Sequence, residues 1–235
     1  MNEECEVSVR QSCSVLLKNW IECHWSTASE KFKVCISDFI YVFIYPLSTF
    51  DIQDPQASDE TKAMLRQNIP NGLQITSRPI RSLLSAALAN IASWDWPEVW
   101  PELIPNLLQA LDSDNINTVD GALRTLREFS SDVTDTHAPE MLTQILPRLL
   151  HVMINPSSHP ISISRSLQIL TTLTDICGDT KMNTLDGHFE NILSVFAQCI
   201  QKPLNVDEDW AVKVSVQLKN HTIFYGIFRE TPSNV

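Results

Sequence analysis

An apolar-Pro-x-x-Leu pattern occurs three times, as Ile69-Pro70 before Leu73, Ile104-Pro105 before Leu108 and Leu146-Pro147 before Leu150, at separations of 35 and 42 residues. Each copy sits in an amphipathic stretch, called here an A helix. Between the copies lie stretches whose apolar residues follow the i, i+3, i+4, i+7 spacing of one helix face. Ile80, Leu83, Leu84, Ala87, Leu88 and Ile91 form one such stripe, and Val119, Ala122, Leu123, Leu126 and Phe129 another. Ile163, Leu167, Leu170 and Leu173 repeat it, as do Val9, Cys13, Leu16, Leu17 and Trp20 near the start. These are B helices. A helical pair recurring about every 40 residues is the period of HEAT and armadillo arrays, where each hairpin buries its apolar face only by stacking on neighbours. The expected fold is all-α, an α-solenoid of HEAT repeats forming a right-handed superhelix of antiparallel helix pairs. An ordinary globular helical bundle is the alternative.

Proline and capping residues set the expected boundaries. Ser58 with Asp59 and Glu60 can cap one A helix, and Asp95 followed by Pro97 and Glu98 the next, with Asp114 as a further cap. The spacing predicts a helix over 7–24, then pairs 58–72 with 77–94, 97–112 with 116–132 and 138–154 with 161–177, followed by 185–202 and a helix from 209. The interior prolines predict kinks at three corresponding places. Trp96 and Trp100, four residues apart on one expected helix, would share a face and pack into the core.

Composition narrows the function classes. The 235 residues carry 17 basic and 28 acidic side chains, a net charge of -11, which repels nucleic acid and anionic lipid and favours basic partners. Between Asp95 and Glu140 stand ten carboxylates (Asp95, Glu98, Glu102, Asp112, Asp114, Asp120, Glu128, Asp132, Asp135 and Glu140) against Arg124 and Arg127. Such a strip accelerates encounter with a basic protein about 10-fold or more at low salt. The six cysteines lack C-x-x-C spacing and read as reduced thiols packed like small hydrophobes; Cys23 beside His24 is too little for zinc. There is no P-loop, no G-x-S-x-G and no H-E-x-x-H, and His137, His151, His159 and His188 are scattered, so neither an enzyme nor a resident cofactor or metal is expected. The apolar run at 34–50 contains Asp38 and Pro46 and falls short of the roughly 20 residues of a membrane span.

The string Trp94-Asp95-Trp96-Pro97-Glu98-Val99-Trp100-Pro101-Glu102-Leu103 resembles the W-D-W-P-E-x-W-P-x-L signature of the importin-β superfamily, the karyopherin nuclear transport receptors. Other blocks resemble the family in the same order: Val9-Arg10-Gln11, Leu17-Lys18-Asn19-Trp20-Ile21 and His24-Trp25; Gly121-Ala122-Leu123-Arg124; Asp132-Val133-Thr134-Asp135-Thr136; and Asp207-Glu208-Asp209-Trp210 with Lys213 and Val216. On this resemblance residues 1–33 are a remnant of the first HEAT repeat without its A helix, which leaves the first B helix with an uncovered apolar face. Residues 54–219 are repeats two to five, and 220–235 form a divergent tail. Residues 34–53 have no counterpart and read as an unspliced intron: the Val34 codon begins GT, and the Gln53 codon can end AG.

The resemblance further implies a protein that shuttles between cytoplasm and nucleus. It would bind the small GTPase Ran in its GTP state and basic cargo such as core histones and ribosomal proteins, with nucleoporins engaged by the full-length receptor, no direct contact to nucleic acid and no membrane insertion. B helices line the inner wall in this family, so Arg78, Arg81, Asp120, Arg124, Arg127, Glu128, Asp132 and Asp135 are the candidate partner-binding residues. The signature residues Trp94, Asp95, Trp96, Pro97, Glu98, Trp100 and Pro101 are expected to be mainly structural. A HEAT-repeat scaffold or regulatory subunit with no connection to Ran is the competing reading.

Overall fold

A computed structural model of the chain describes residues 3–25, 57–155, 157–178, 185 and 187–201. The segment 34–53, the tail 220–235 and the helix expected from 209 lie outside the described residues. Every regular element among the described residues is helical: α1 (Glu3–His24), α2 (Asp59–Asn68), a 3₁₀ segment (Ile69–Gln74), α3 (Arg78–Asp95), α4 (Leu103–Leu111), α5 (Ile116–Phe129), α6 (Ala138–Ile154), α7 (Pro160–Cys177) and α8 (Phe189–Gln201). The chain divides into two compact units, Met1–Trp100 and Pro101–Val235.

In the second unit, hairpin partners α4 and α5 pack together, as do α6 and α7. Like then stacks on like: α4 on α6, α6 on α8, and α5 on α7. The result is an A layer of α4, α6 and α8 over a B layer of α5 and α7, the arrangement of stacked HEAT repeats. The B stripes are the buried faces: Ala122, Leu123, Leu126 and Phe129 on α5, and Ile163, Leu167, Leu170 and Leu173 on α7. Helix α6 is sandwiched by three neighbours and buries Met141, Leu142, Ile145, Leu146, Leu149 and Leu150, each contributing about 1.5–3 kcal/mol relative to exposure.

In the first unit α3 packs against α1 and against the 3₁₀ segment, burying Ile80, Leu84, Ala87, Leu88 and Ile91. Gly72 permits the close approach of that segment, since a Cβ there would collide with the Leu84 side chain. Ser58 caps α2 as expected, its Oγ accepting the Thr61 N–H at 3.2 Å.

Several local expectations are corrected. The A helix expected over 97–112 begins only at Leu103, and 96–99 and 101–102 are turns. Pro97 and Pro101 supply no N–H, and Trp96, preceding a proline, is extended at ψ 140°. The Asp95 carbonyl instead accepts the Val99 and Trp100 N–H groups at 2.8 and 2.9 Å. Trp96 and Trp100 therefore do not share a helix face: Trp100 is buried, Trp96 half-buried and Trp94 exposed. Asp95 is not an N-cap but ends α3, and α5 is capped by Asn115, not Asp114.

The three prolines do not make three equivalent kinks. Pro70 opens the 3₁₀ segment after α2, and Pro105 falls in the first turn of α4, where no intrahelical bond is lost. Only Pro147 is interior to its helix. On α1 the buried residues are Ser14 and Ile21, followed by buried Trp25 just after the helix; of the expected stripe, Leu17 and Trp20 are half-buried and Val9, Cys13 and Leu16 exposed, so the stripe reading caught only part of the core face. Cys13 is thus no buried hydrophobe, while Cys177 and Cys199 are; burial pushes the Cys177 thiol pKa up.

Candidate functional site

The candidate residues fall into three groups. Arg78, in the first turn of α3, is exposed. Arg81 is buried, and its Nη1 donates to the Ile75 and Thr76 carbonyls at 2.5 and 3.2 Å, locking the turn that leads from the 3₁₀ segment into α3. Asp132 and Asp135 are exposed in the loop between α5 and α6.

The remaining candidates cluster on the B layer. Asp120, Arg124 and Arg127 occupy positions i, i+4 and i+7 of α5 and so form one stripe. The Asp120 carboxylate accepts from Arg124 Nε at 3.0 Å with one oxygen and from Arg165 of α7 with the other. It is therefore held on two sides, and the bridge to Arg165 ties neighbouring repeats together. Burial pushes the Arg165 guanidinium below its usual pKa; Asp120 opposes that shift, and the charges of Arg124 and Arg127 add to it. Arg127 reaches Glu128 at 3.5 Å, with side-chain exposures of 41% and 32%. Arg165 was missed by the sequence reading. Its signal was that α7 carries just two formally charged side chains, Arg165 and Asp175, and Arg165 falls among the buried stripe residues.

The acidic strip expected along Asp95 to Glu140 is divided by function. Asp95 pairs with Arg66 at 2.6 Å, Asp112 with Arg148 at 2.8 Å, and Asp120 with its two arginines. Glu98, Glu102, Asp114, Asp132, Asp135 and Glu140 are exposed. Within the second unit, Glu102, Asp132, Asp135 and Glu140 gather at the edge where α4 and α6 begin and α5 ends, while Asp112 and Asp114 lie at the opposite edge. Negative charge is thus concentrated in loops, not on the α5 and α7 surface.

The signature residues have a structural task. Arg66 lies 6.0 Å from the ring centroid of the buried Trp25, with Lys62 at 5.6 Å, while its guanidinium grips Asp95. Asp95 thereby joins α2 to the end of α3 beside the last residue after α1. Among the described residues no group of three or more His, Cys, Asp or Glu side chains is placed to hold a metal ion. No helix among them is long and apolar enough to cross a membrane.

Comparison with known proteins fits this architecture. The chain is 26% identical over 164 residues to Importin-9 of Drosophila melanogaster, covering 68% of this chain and 14% of the relative. It is 24% identical over 148 residues to Importin subunit beta-5 of Schizosaccharomyces pombe, covering 63% and 13% respectively. It is 28% identical over 137 residues to Transportin-1 of Mus musculus, covering 50% and 15%. The chain therefore spans about one-seventh of the length of these relatives. The family model for Exportin 1-like protein matches residues 77–201, more than half of the chain and the whole of α3 through α8. With stacked helical pairs and a match of that extent, the chain belongs to the exportin 1-like family, within the importin-β superfamily.

Proposed function

We propose that the chain is part of a nuclear transport receptor that shuttles between cytoplasm and nucleus, binds Ran in its GTP state and carries basic protein cargo. The observation that carries this reading is the exportin 1-like match across α3–α8. It is supported by relatives whose names are importin and transportin. Arg78, Arg127 and Glu128 are accessible on B helices and are assigned to the GTPase or to cargo. Exposed Glu102, Asp132, Asp135 and Glu140 are assigned to basic cargo such as core histones and ribosomal proteins. Their field steers a cationic partner and weakens as salt screens it. Nucleoporin contacts are assigned to the full-length receptor.

Pull-down of the full chain with Ran loaded with a non-hydrolysable GTP analogue, against Ran-GDP, tests the reading. Retention of the GTP form alone is expected. Absent or nucleotide-blind binding would favour a HEAT-repeat scaffold unrelated to Ran. For cargo, replacing Asp132 and Asp135 by Ser should weaken core-histone binding at low salt and flatten its salt dependence. Asp120→Ser, by contrast, would first disturb an internal bridge.

A further inference from the structure

Helix α1 carries a second apolar stripe besides the face turned to α3. Val9, Cys13, Leu16, Trp20 and Cys23 follow one another at intervals of 4, 3, 4 and 3 residues, the spacing of a coiled-coil seam. On a helix of 3.6 residues per turn they fall in a band about 80° wide, and the buried Ser14 and Ile21 lie about 120–140° around the axis from its centre. The band is open to solvent: Val9 and Leu16 are 53% and 50% exposed, Cys13 is exposed, and Trp20 and Cys23 are half-buried. Trp20 stacks on His24 with ring centroids 5.3 Å apart, so its indole is already ordered for a partner. Charge does not oppose a second copy here. The whole protein has a net charge of -11, yet residues 7–24 contain a single carboxylate, Glu22, which is bonded to Lys18. The stripe is also complementary to itself. Turned antiparallel about a two-fold axis between Ser14 and Val15, it sets Val9 against Trp20 of the second copy and Cys13 against Leu16 of the second copy, each twice, so every layer joins a bulky side chain to a smaller one. The helix dipoles then oppose each other, whereas a parallel pair would align them and crowd Trp20 on Trp20.

We propose that two copies of this chain associate through α1, antiparallel, along the seam of Val9, Cys13, Leu16 and Trp20. Four layers on one helix make a small contact, so the dimer is reversible, with a dissociation constant on the order of 10 µM. Neither Ran nor cargo takes part in it.

Sedimentation equilibrium of the full chain in reducing buffer, at concentrations either side of that constant, should show a monomer–dimer equilibrium. Leu16→Glu places a charge in two layers at once and should weaken the dimer about 100-fold, while the helix keeps a good helix former. Val9→Glu should act likewise, which keeps the test decisive if one variant folds poorly. Met64→Glu, at a 54% exposed position of α2 outside the seam, should dimerise like wild type. A short bismaleimide reports the alignment. The antiparallel pair brings the two Cys13 thiols within about 5 Å along the axis and holds the two Cys23 thiols about 25 Å apart, so a Cys13–Cys13 link without a Cys23–Cys23 link is expected. A wild-type chain that stays monomeric, or a dimer indifferent to both seam variants, would overturn the proposal. So would weakening by Met64→Glu equal to that by the seam variants, which would mark general stickiness, or a Cys23–Cys23 link, which would mark a parallel pair. A monomer with an intrachain link from Cys13 to Cys35 would also overturn it, by giving the stripe to the chain's own segment.

Discussion

Asp95 in the first unit and Asp120 in the second are both carboxylates engaged by arginine, but they are embedded differently. Asp95 meets Arg66, whose guanidinium also lies over the Trp25 ring and whose side chain is 17% exposed. Asp120 stands between Arg124 and Arg165, with side-chain exposures of 10% and 7%. Deleting Asp95 leaves a cation that keeps an aromatic face and some water. Deleting Asp120 takes a shared counter-charge from two poorly hydrated guanidiniums. The lesson is that the cost of removing an ion-pair member is set by what the remaining partner can fall back on, more than by the distance between the two.

Five substitutions sharpen or break that comparison. Asp120→Ala should cost about 3–5 kcal/mol in urea unfolding, the penalty of stranding buried charge. Adding Arg165→Met to it should recover part of the loss; a double variant no more stable than the single one would show that charge is not the cause. Asp95→Ala should cost less, about 1–3 kcal/mol, since the Arg66 interaction with Trp25 survives. A loss equal to that of Asp120→Ala would erase the distinction between the two sites.

Ser58→Ala removes the bond to the Thr61 N–H and should cost about 1 kcal/mol, seen as a lowered melting temperature. Arg148→Ala breaks the pair with Asp112, whose side chains are 47% and 44% exposed, and should change stability by less than about 1 kcal/mol, vanishing at high salt. A large effect there would mean that exposure is a poor guide to ion-pair strength in this fold.

Much of the fold was legible from spacing. The stripes of α3, α5 and α7 were read from apolar periodicity, because a B helix enclosed by neighbours is apolar at most of its inward positions. The stretch after α3 was not legible in this way. Trp96, Pro97, Trp100 and Pro101 carry helical spacing, yet the prolines withhold donors and the Asp95 carbonyl takes the Val99 and Trp100 N–H groups. On α1 the periodicity allowed more than one face, and packing on α3 selected Ser14 and Ile21 over Val9, Cys13 and Leu16.

The candidate site was legible only on one side. Asp120, Arg124 and Arg127 follow from a single helix, since positions three and four apart must adjoin. Arg165 is 45 residues from Asp120, and nothing local in either segment specifies that the two meet. Arg81 shows the converse: an arginine at a promising position whose donors are taken by two backbone carbonyls.

By itself, then, the order of residues determined the all-α class, the alternation of helix types and the excess of acid, because these depend on local periodicity and composition. Only the tertiary structure decided which charges cancel internally and which remain at the surface. Stacking one hairpin on the next brings together side chains from distant segments, and desolvation there makes a single missing counter-charge matter.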